Sequence, residues 1–161
     1  MASSNLRAGV CEHCRQEFHF ALWHSGFGDF TYAYCTDCGM LATISQCDPV
    51  WEKIPNIRLE TRLICEKQEI CPELEPFLQE CPCGGQFRTG AAPRCPHCHQ
   101  VLSAELGIAY IETFFPETAE GRHWQRSWNG LYCMAIEDLE KPGSLRCLKN
   151  PLRWFYDPAI G

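Results

Sequence analysis

The sequence predicts an α+β protein, and three observations carry that prediction. Alternating apolar and polar residues around a glycine-rich turn occupy the first 45 residues, a run at helical spacing follows Ser103, and Asn129-Gly130 joins two apolar segments further on. The chain has 161 residues, enough for one domain or two small ones. Its 45% hydrophobic and 12% aromatic content can build a core, which excludes a disordered or collagen-like chain.

The elements follow in order. Residues 17–24 and 30–34 alternate as two strands of a hairpin, turned by Ser25-Gly-Phe-Gly-Asp29, and residues 40–45 form a third strand. Residues 46–58 contain two prolines and read as a connector with one helical turn, and residues 59–65 alternate as a strand. Pro72 suits the first position of a helix, where its missing N–H has no partner to lose, and Leu74, Phe77, Leu78 and Cys81 follow at helical spacing. Ser103 caps a helix over residues 104–115. Glu105 complements its dipole and Pro116 stops it.

Asn129-Gly130 accepts the positive φ that a type I′ turn demands, so residues 124–128 and 131–136 are expected to pair as a hairpin. Its register puts Trp124, Arg126, Trp128, Leu131, Cys133 and Ala135 on a core-facing side. The segment with Leu145, Leu148, Leu152, Trp154, Phe155 and Tyr156 is expected to pack on its own domain, with a partner-binding segment as the alternative.

Thirteen cysteines, an odd number, stand in a chain whose start shows no apolar signal segment. That combination points away from disulfides and toward a reducing, cytoplasmic setting in which thiols bind metal. Cys11-Glu-His-Cys14 and Cys35-Thr-Asp-Cys38-Gly39 are one pair of motifs; Cys81-Pro-Cys83-Gly-Gly85 and Cys95-Pro-His-Cys98 are another. Each turn can aim two sulfurs at one ion about 2.3 Å away, and two turns complete a tetrahedron of soft ligands suited to zinc. Cys11, Cys14, Cys35 and Cys38 are therefore expected to hold one Zn2+, and Cys81, Cys83, Cys95 and Cys98 a second. Gly84 and Gly85 are placed to supply positive φ and close approach at the tighter C-x-C turn.

Both sets resemble zinc ribbons, in which two knuckles at the ends of β-hairpins clamp one ion. The stretch from Cys81 to Cys98, with Leu102-Ser103, also resembles zinc-ribbon segments of bacterial proteins of unassigned function. The resemblance implies an N-terminal ribbon within residues 1–45, a connector over 46–80 and a second ribbon over 81–102. A helix, hairpin and aromatic tail over 103–161 would then pack on the second ribbon. Arg15 follows Cys14 where the usual knuckle has glycine.

The other five cysteines, Cys47, Cys65, Cys71, Cys133 and Cys147, read as small buried hydrophobes. A third ion shared by Cys47, Cys65 and Cys71 is the alternative. His97 and His99 flank Cys98, and either could replace a cysteine ligand.

Closed four-sulfur sites leave no position for a catalytic water, and no H-E-x-x-H, G-x-S-x-G, Walker A or G-x-G-x-x-G pattern occurs. The expectation is a non-enzyme that binds a protein partner, as an adaptor or as an inhibitor or immunity partner of a bacterial toxin. Net charge is −6, and two sites of formal charge −2 would take the loaded protein to about −10, which works against general phosphate binding. Arg122, Arg126, Arg146, Lys149 and Arg153 nevertheless cluster in the last forty residues, so nucleic-acid binding is the alternative. A rubredoxin-like iron redox protein is the second alternative.

Overall fold

The computed structural model describes residues 6–25, 28–54, 71–103 and 132–153. They form seven strands: β1 (Arg7–Val10), β2 (Glu17–His24), β3 (Phe30–Cys35), β4 (Leu41–Ser45), β5 (Phe87–Arg88), β6 (Tyr132–Ile136) and β7 (Cys147–Lys149). Two short 3-10 turns, Pro49–Lys53 and Pro72–Phe77, are the helical elements among the described residues. The described part is thus mostly β. The helix expected over 104–115, the strands expected over 59–65 and 124–128, the Asn129-Gly130 turn and the aromatic Trp154, Phe155 and Tyr156 lie outside the described residues.

The helix expected from Pro72 is a 3-10 turn instead. Pro72 does begin it, but Pro76 sits inside it without an N–H to donate, and the backbone N–H of Leu78 closes the last turn on the Glu75 carbonyl three residues back. Leu78 then leaves in extended geometry and bridges to Leu152. Of the four apolar residues at that spacing, Leu74, Leu78 and Cys81 are buried, whereas Phe77 is only half-buried against the same cluster.

Strands β2 and β3 lie where the alternation puts them, yet they do not pair with each other. β2 is the centre of one sheet, ordered β1-β2-β6, and β3 belongs to a second, ordered β5-β3-β4-β7. Five residues after Glu17–His24 thus carry the chain from one sheet to the other, ending at Asp29 with φ 53. Burial explains the separation. β3 is buried at every position after Phe30, with Tyr32 and Tyr34 in one hydrophobic cluster and Ala33 and Cys35 in another. A strand apolar on both faces must be covered on both, and a simple hairpin covers neither.

The first cluster lies between the sheets, with Phe18 and Phe20 of β2, Tyr32 and Tyr34 of β3, and Met134 and Ile136 of β6. The second covers the opposite face of β3 and β4, where Ala33, Ala42 and Ile44 meet Val50, Trp51 and Ile54 around the first 3-10 turn and Leu74, Leu78 and Leu152 beyond. Asp48 caps that turn, its carboxylate accepting from the Val50 N–H at 2.9 Å.

The segment expected to pack on the second ribbon joins the first half of the chain. β6 runs antiparallel to β2, with Phe20 opposite Ile136 and His24 opposite Tyr132, and β7 runs parallel to β4. All five β6 residues are buried, so the expected one-sided register does not hold. Tyr34 locks β6 across the two sheets: its hydroxyl accepts from the Met134 N–H at 2.7 Å and donates to the Met134 carbonyl at 3.2 Å. Replacing it by phenylalanine strands both backbone groups in a dry interior, so Tyr34→Phe is expected to lower stability by about 1–3 kcal/mol. Chemical denaturation followed by circular dichroism would measure this; a midpoint equal to wild type would refute the tie.

Candidate metal centres

Four short turns carry the eight paired cysteines, and they share one backbone design. In each, the N–H of the first cysteine bonds to a carbonyl just past the turn: Cys11 to Gln16, Cys35 to Met40, Cys81 to Gly85 and Cys95 to Gln100. A second N–H returns to the first cysteine's carbonyl, from Arg15, Gly39, Gly84 and His99 respectively. Those four residues all have positive φ: 64 for Arg15, 74 for Gly39, 92 for Gly84 and 63 for His99. The left-handed residue lets the chain turn back while both sulfurs point the same way. Arg15 and His99 adopt it at a steric cost of about 1 kcal/mol or more each.

Backbone N–H groups also point at the sulfurs: His13 at Cys11, Asp37 at Cys35, His97 at Cys95 and Gly85 at Cys83, all between 3.3 and 3.4 Å. Such donors stabilise thiolate over thiol.

The turns assemble into two tetrads, and the partners differ from those expected. Cys11 and Cys14 meet Cys95 and Cys98, while Cys35 and Cys38 meet Cys81 and Cys83. The pairing is nested, with first turn on fourth and second on third. All eight residues are the ones the sequence singles out, but neither tetrad is formed by consecutive turns as in two separate ribbons. Strand pairing is the reason. Cys35 is opposite Phe87 in the β3–β5 pair, which sets the Cys81-Pro-Cys83 turn beside the second turn. The first turn lies between β1 and β2 in the other sheet, and the fourth is left to meet it.

Nearest sulfurs are 3.7 Å apart for Cys11–Cys98 and Cys14–Cys95, and 3.5 Å for Cys35–Cys83 and Cys38–Cys81. A disulfide would bring sulfurs to about 2.05 Å. A tetrahedron with about 2.3 Å metal–sulfur bonds has edges of about 3.8 Å, so both tetrads fit an ion of that size at their centres.

Two glycines make the packing of these turns feasible. A Cβ on Gly85 would stand 2.6 Å from the Cys35 sulfur, and one on Gly39 would stand 2.3 Å from the Arg94 backbone nitrogen. The expected division of labour at the C-x-C turn is observed: Gly84 supplies the positive φ and Gly85 the close approach. The importance of Gly39 to Arg94, which belongs to a turn of the other tetrad, is not visible in sequence.

The thiols respond to their surroundings in opposite directions. Burial pushes Cys95 up to about 12, and it also raises Cys35 and Cys81. Burial acts on Cys11 too, but the N–H groups of Cys14 and His13 and the thiols of Cys95 and Cys98 outweigh it, bringing Cys11 down to about 6. A metal ion must displace the protons of the raised thiols, so its affinity falls as pH falls. Acidification is therefore expected to empty the tetrads. A colorimetric chelator in a pH series would follow the release; an affinity no weaker at acid than at neutral pH would contradict it.

Neither histidine beside Cys98 enters a tetrad. The His97 Nε2 lies 2.9 Å from the Glu17 carbonyl, and His99 serves through its backbone, its carbonyl accepting from Arg94 Nη1. Among the described residues no third group of cysteine, histidine or carboxylate side chains comes close enough to hold an ion. Cys65 lies outside the described residues. Cys47 is exposed and Cys71 and Cys147 are partly so, which corrects the reading of these three as buried hydrophobes, whereas Cys133 is fully buried in the first cluster.

Fold and centres together define a two-sheet β domain in which the cysteine turns of residues 11–38 meet those of residues 81–98 at two four-cysteine clusters able to hold metal. The chain belongs to the family described as Domain of unknown function (DUF8255), whose model matches residues 8–104, more than half of the sequence and a stretch containing all eight paired cysteines. That description names no zinc ribbon, and the ribbon resemblance is confined to the individual turns. No curated protein and no solved structure matches the chain.

Proposed function

We propose that this is a non-catalytic zinc protein in which two ions, each held by four thiolates, fasten the two halves of the fold and so present a surface for binding another protein. The observation that carries this reading is the pair of all-sulfur tetrads, each with two sulfur pairs 3.5 to 3.7 Å apart and all four sulfurs within 4.8 Å of one another. Soft thiolates in tetrahedral array suit zinc, and four protein ligands close the site to water, the arrangement of a structural rather than a hydrolytic ion. The thiols persist in a reducing compartment, which supports a cytoplasmic location. No helix among the described residues is long and apolar enough to cross a membrane.

Charge favours a protein partner over nucleic acid, since the loaded chain would carry about −10. Two of the C-terminal arginines are also engaged within the protein: Arg146 Nη1 lies 3.5 Å from the Cys38 carbonyl, and Arg153 lies 3.9 Å from Glu80. An adaptor and an inhibitor of another protein both fit this reading.

Elemental analysis of protein purified without added metal is expected to give two zinc ions per chain. One or none would refute the two-centre reading, and a coloured, visible-absorbing protein would favour iron. Affinity capture from the native host should then recover a protein. Tight binding of mixed-sequence RNA or DNA with a steep salt dependence would instead favour nucleic acid.

A further inference from the structure

We propose that the two ions bind cooperatively, with the inner centre (Cys35, Cys38, Cys81, Cys83) assembling first and delivering the parts of the outer centre (Cys11, Cys14, Cys95, Cys98) to one another. This rests on the metal reading above and concerns how that site is regulated. Three observations carry it. Because the pairing is nested, the sequence separations differ: 43 residues separate Cys38 from Cys81, but 81 separate Cys14 from Cys95. Closing the inner centre removes the 48 residues between Cys35 and Cys83 from the outer loop, leaving 33. Loop closure alone then favours the second ion by about fourfold.

The second observation is direct packing between the centres. Gly39, which completes a turn of the inner tetrad, lies against Arg94, which begins a turn of the outer one, so closely that a Cβ would fall 2.3 Å from the Arg94 nitrogen and 2.7 Å from its Cβ. Backbone stacked on backbone has no slack to absorb disorder on one side. The third is the route of the chain. β5 pairs with β3 at Cys35 and Tyr34, and only the short segment from Thr89 to Arg94 separates it from Cys95. An ordered inner centre thus fixes where the fourth turn emerges. By linkage, what the inner ion does for the outer one the outer does in return.

The test uses the full chain. Metal-free protein would be titrated with zinc and the zero-, one- and two-ion species counted by native mass spectrometry. Inner-site affinity would be measured against a competing chelator in wild type and in Cys98→Ser, which disables the outer centre. Expected is a fall in inner-site affinity of at least fivefold in Cys98→Ser, within the range usual for coupled sites, with a one-ion species in wild type that carries its ion on the inner cysteines. Gly39→Ala, which alters no ligand, should reduce the coupling while two ions still bind at high zinc. Inner-site affinity unchanged in Cys98→Ser, or a one-ion species loaded on the outer cysteines, would overturn the proposal and leave the two-centre reading standing. Failure of wild type to bind any zinc would instead remove that reading.

Discussion

Serine at both Cys11 and Cys95 is expected to leave one tightly held ion per chain, whereas serine at both Cys11 and Cys35 is expected to leave none. The first pair falls in one tetrad and the second in two. Consecutive pairing, as in two separate ribbons, predicts the reverse for both variants. A structural four-thiolate zinc contributes on the order of 10 kcal/mol to folding, so each lost centre should also cost most of the stability of the strands it joins. If a single loss unfolds the chain and strips both ions, cadmium-loaded wild type answers the same question, because through-bond couplings from each ion identify its own four cysteines. Couplings linking Cys11, Cys14, Cys35 and Cys38 to one ion would defeat the nested arrangement. A chain ending before Cys81 is likewise expected to bind no ion tightly, since it holds half of each centre.

The second large effect is at Gly39. Alanine there meets two obstacles: the left-handed φ of 74, and the Arg94 backbone 2.3 Å from the new methyl. Strain and overlap each cost about 1–3 kcal/mol, so Gly39→Ala should destabilise the loaded protein by about 3 kcal/mol or more. Gly84→Ala is the control. Its φ is 92, but nothing lies within 4 Å of the position, so only the strain remains, about 1 kcal/mol. Denaturant midpoints of the two variants would separate these effects. Equal shifts would show that the contact between centres carries no energy.

The contrast between these residues shows what a sequence can and cannot disclose. Spacing alone marks the eight ligating candidates, because a two-sulfur turn is a local structure: C-x2-C followed by a left-handed residue aims both side chains one way. Arg15 and His99 show that glycine is favoured at that position but not required. Local pattern likewise marks β2 at Glu17–His24 and a strand over residues 40–45, observed as β4 at Leu41–Ser45. It misleads at the Pro72 turn, where Pro76 has no N–H to continue a helix, and at β2 and β3, which are neighbours in sequence but do not pair.

What the sequence alone determines is the set of eight thiols, strands β2, β3 and β4 beside the first two turns, and the net negative charge, since the turns and strands are each fixed by residues within a few positions of one another; β1 and β5 carry no such local signal. Which thiols share a tetrad is decided by the tertiary structure. β3 is apolar on both faces and must be buried between two layers, so it leaves β2, enters a second sheet and takes the Cys81-Pro-Cys83 turn as neighbour through β5. The same burial draws β6 against β2 and sets Gly39 on Arg94, bringing the two centres into contact. These are long-range choices made by the burial of whole faces, and no spacing between cysteines encodes them.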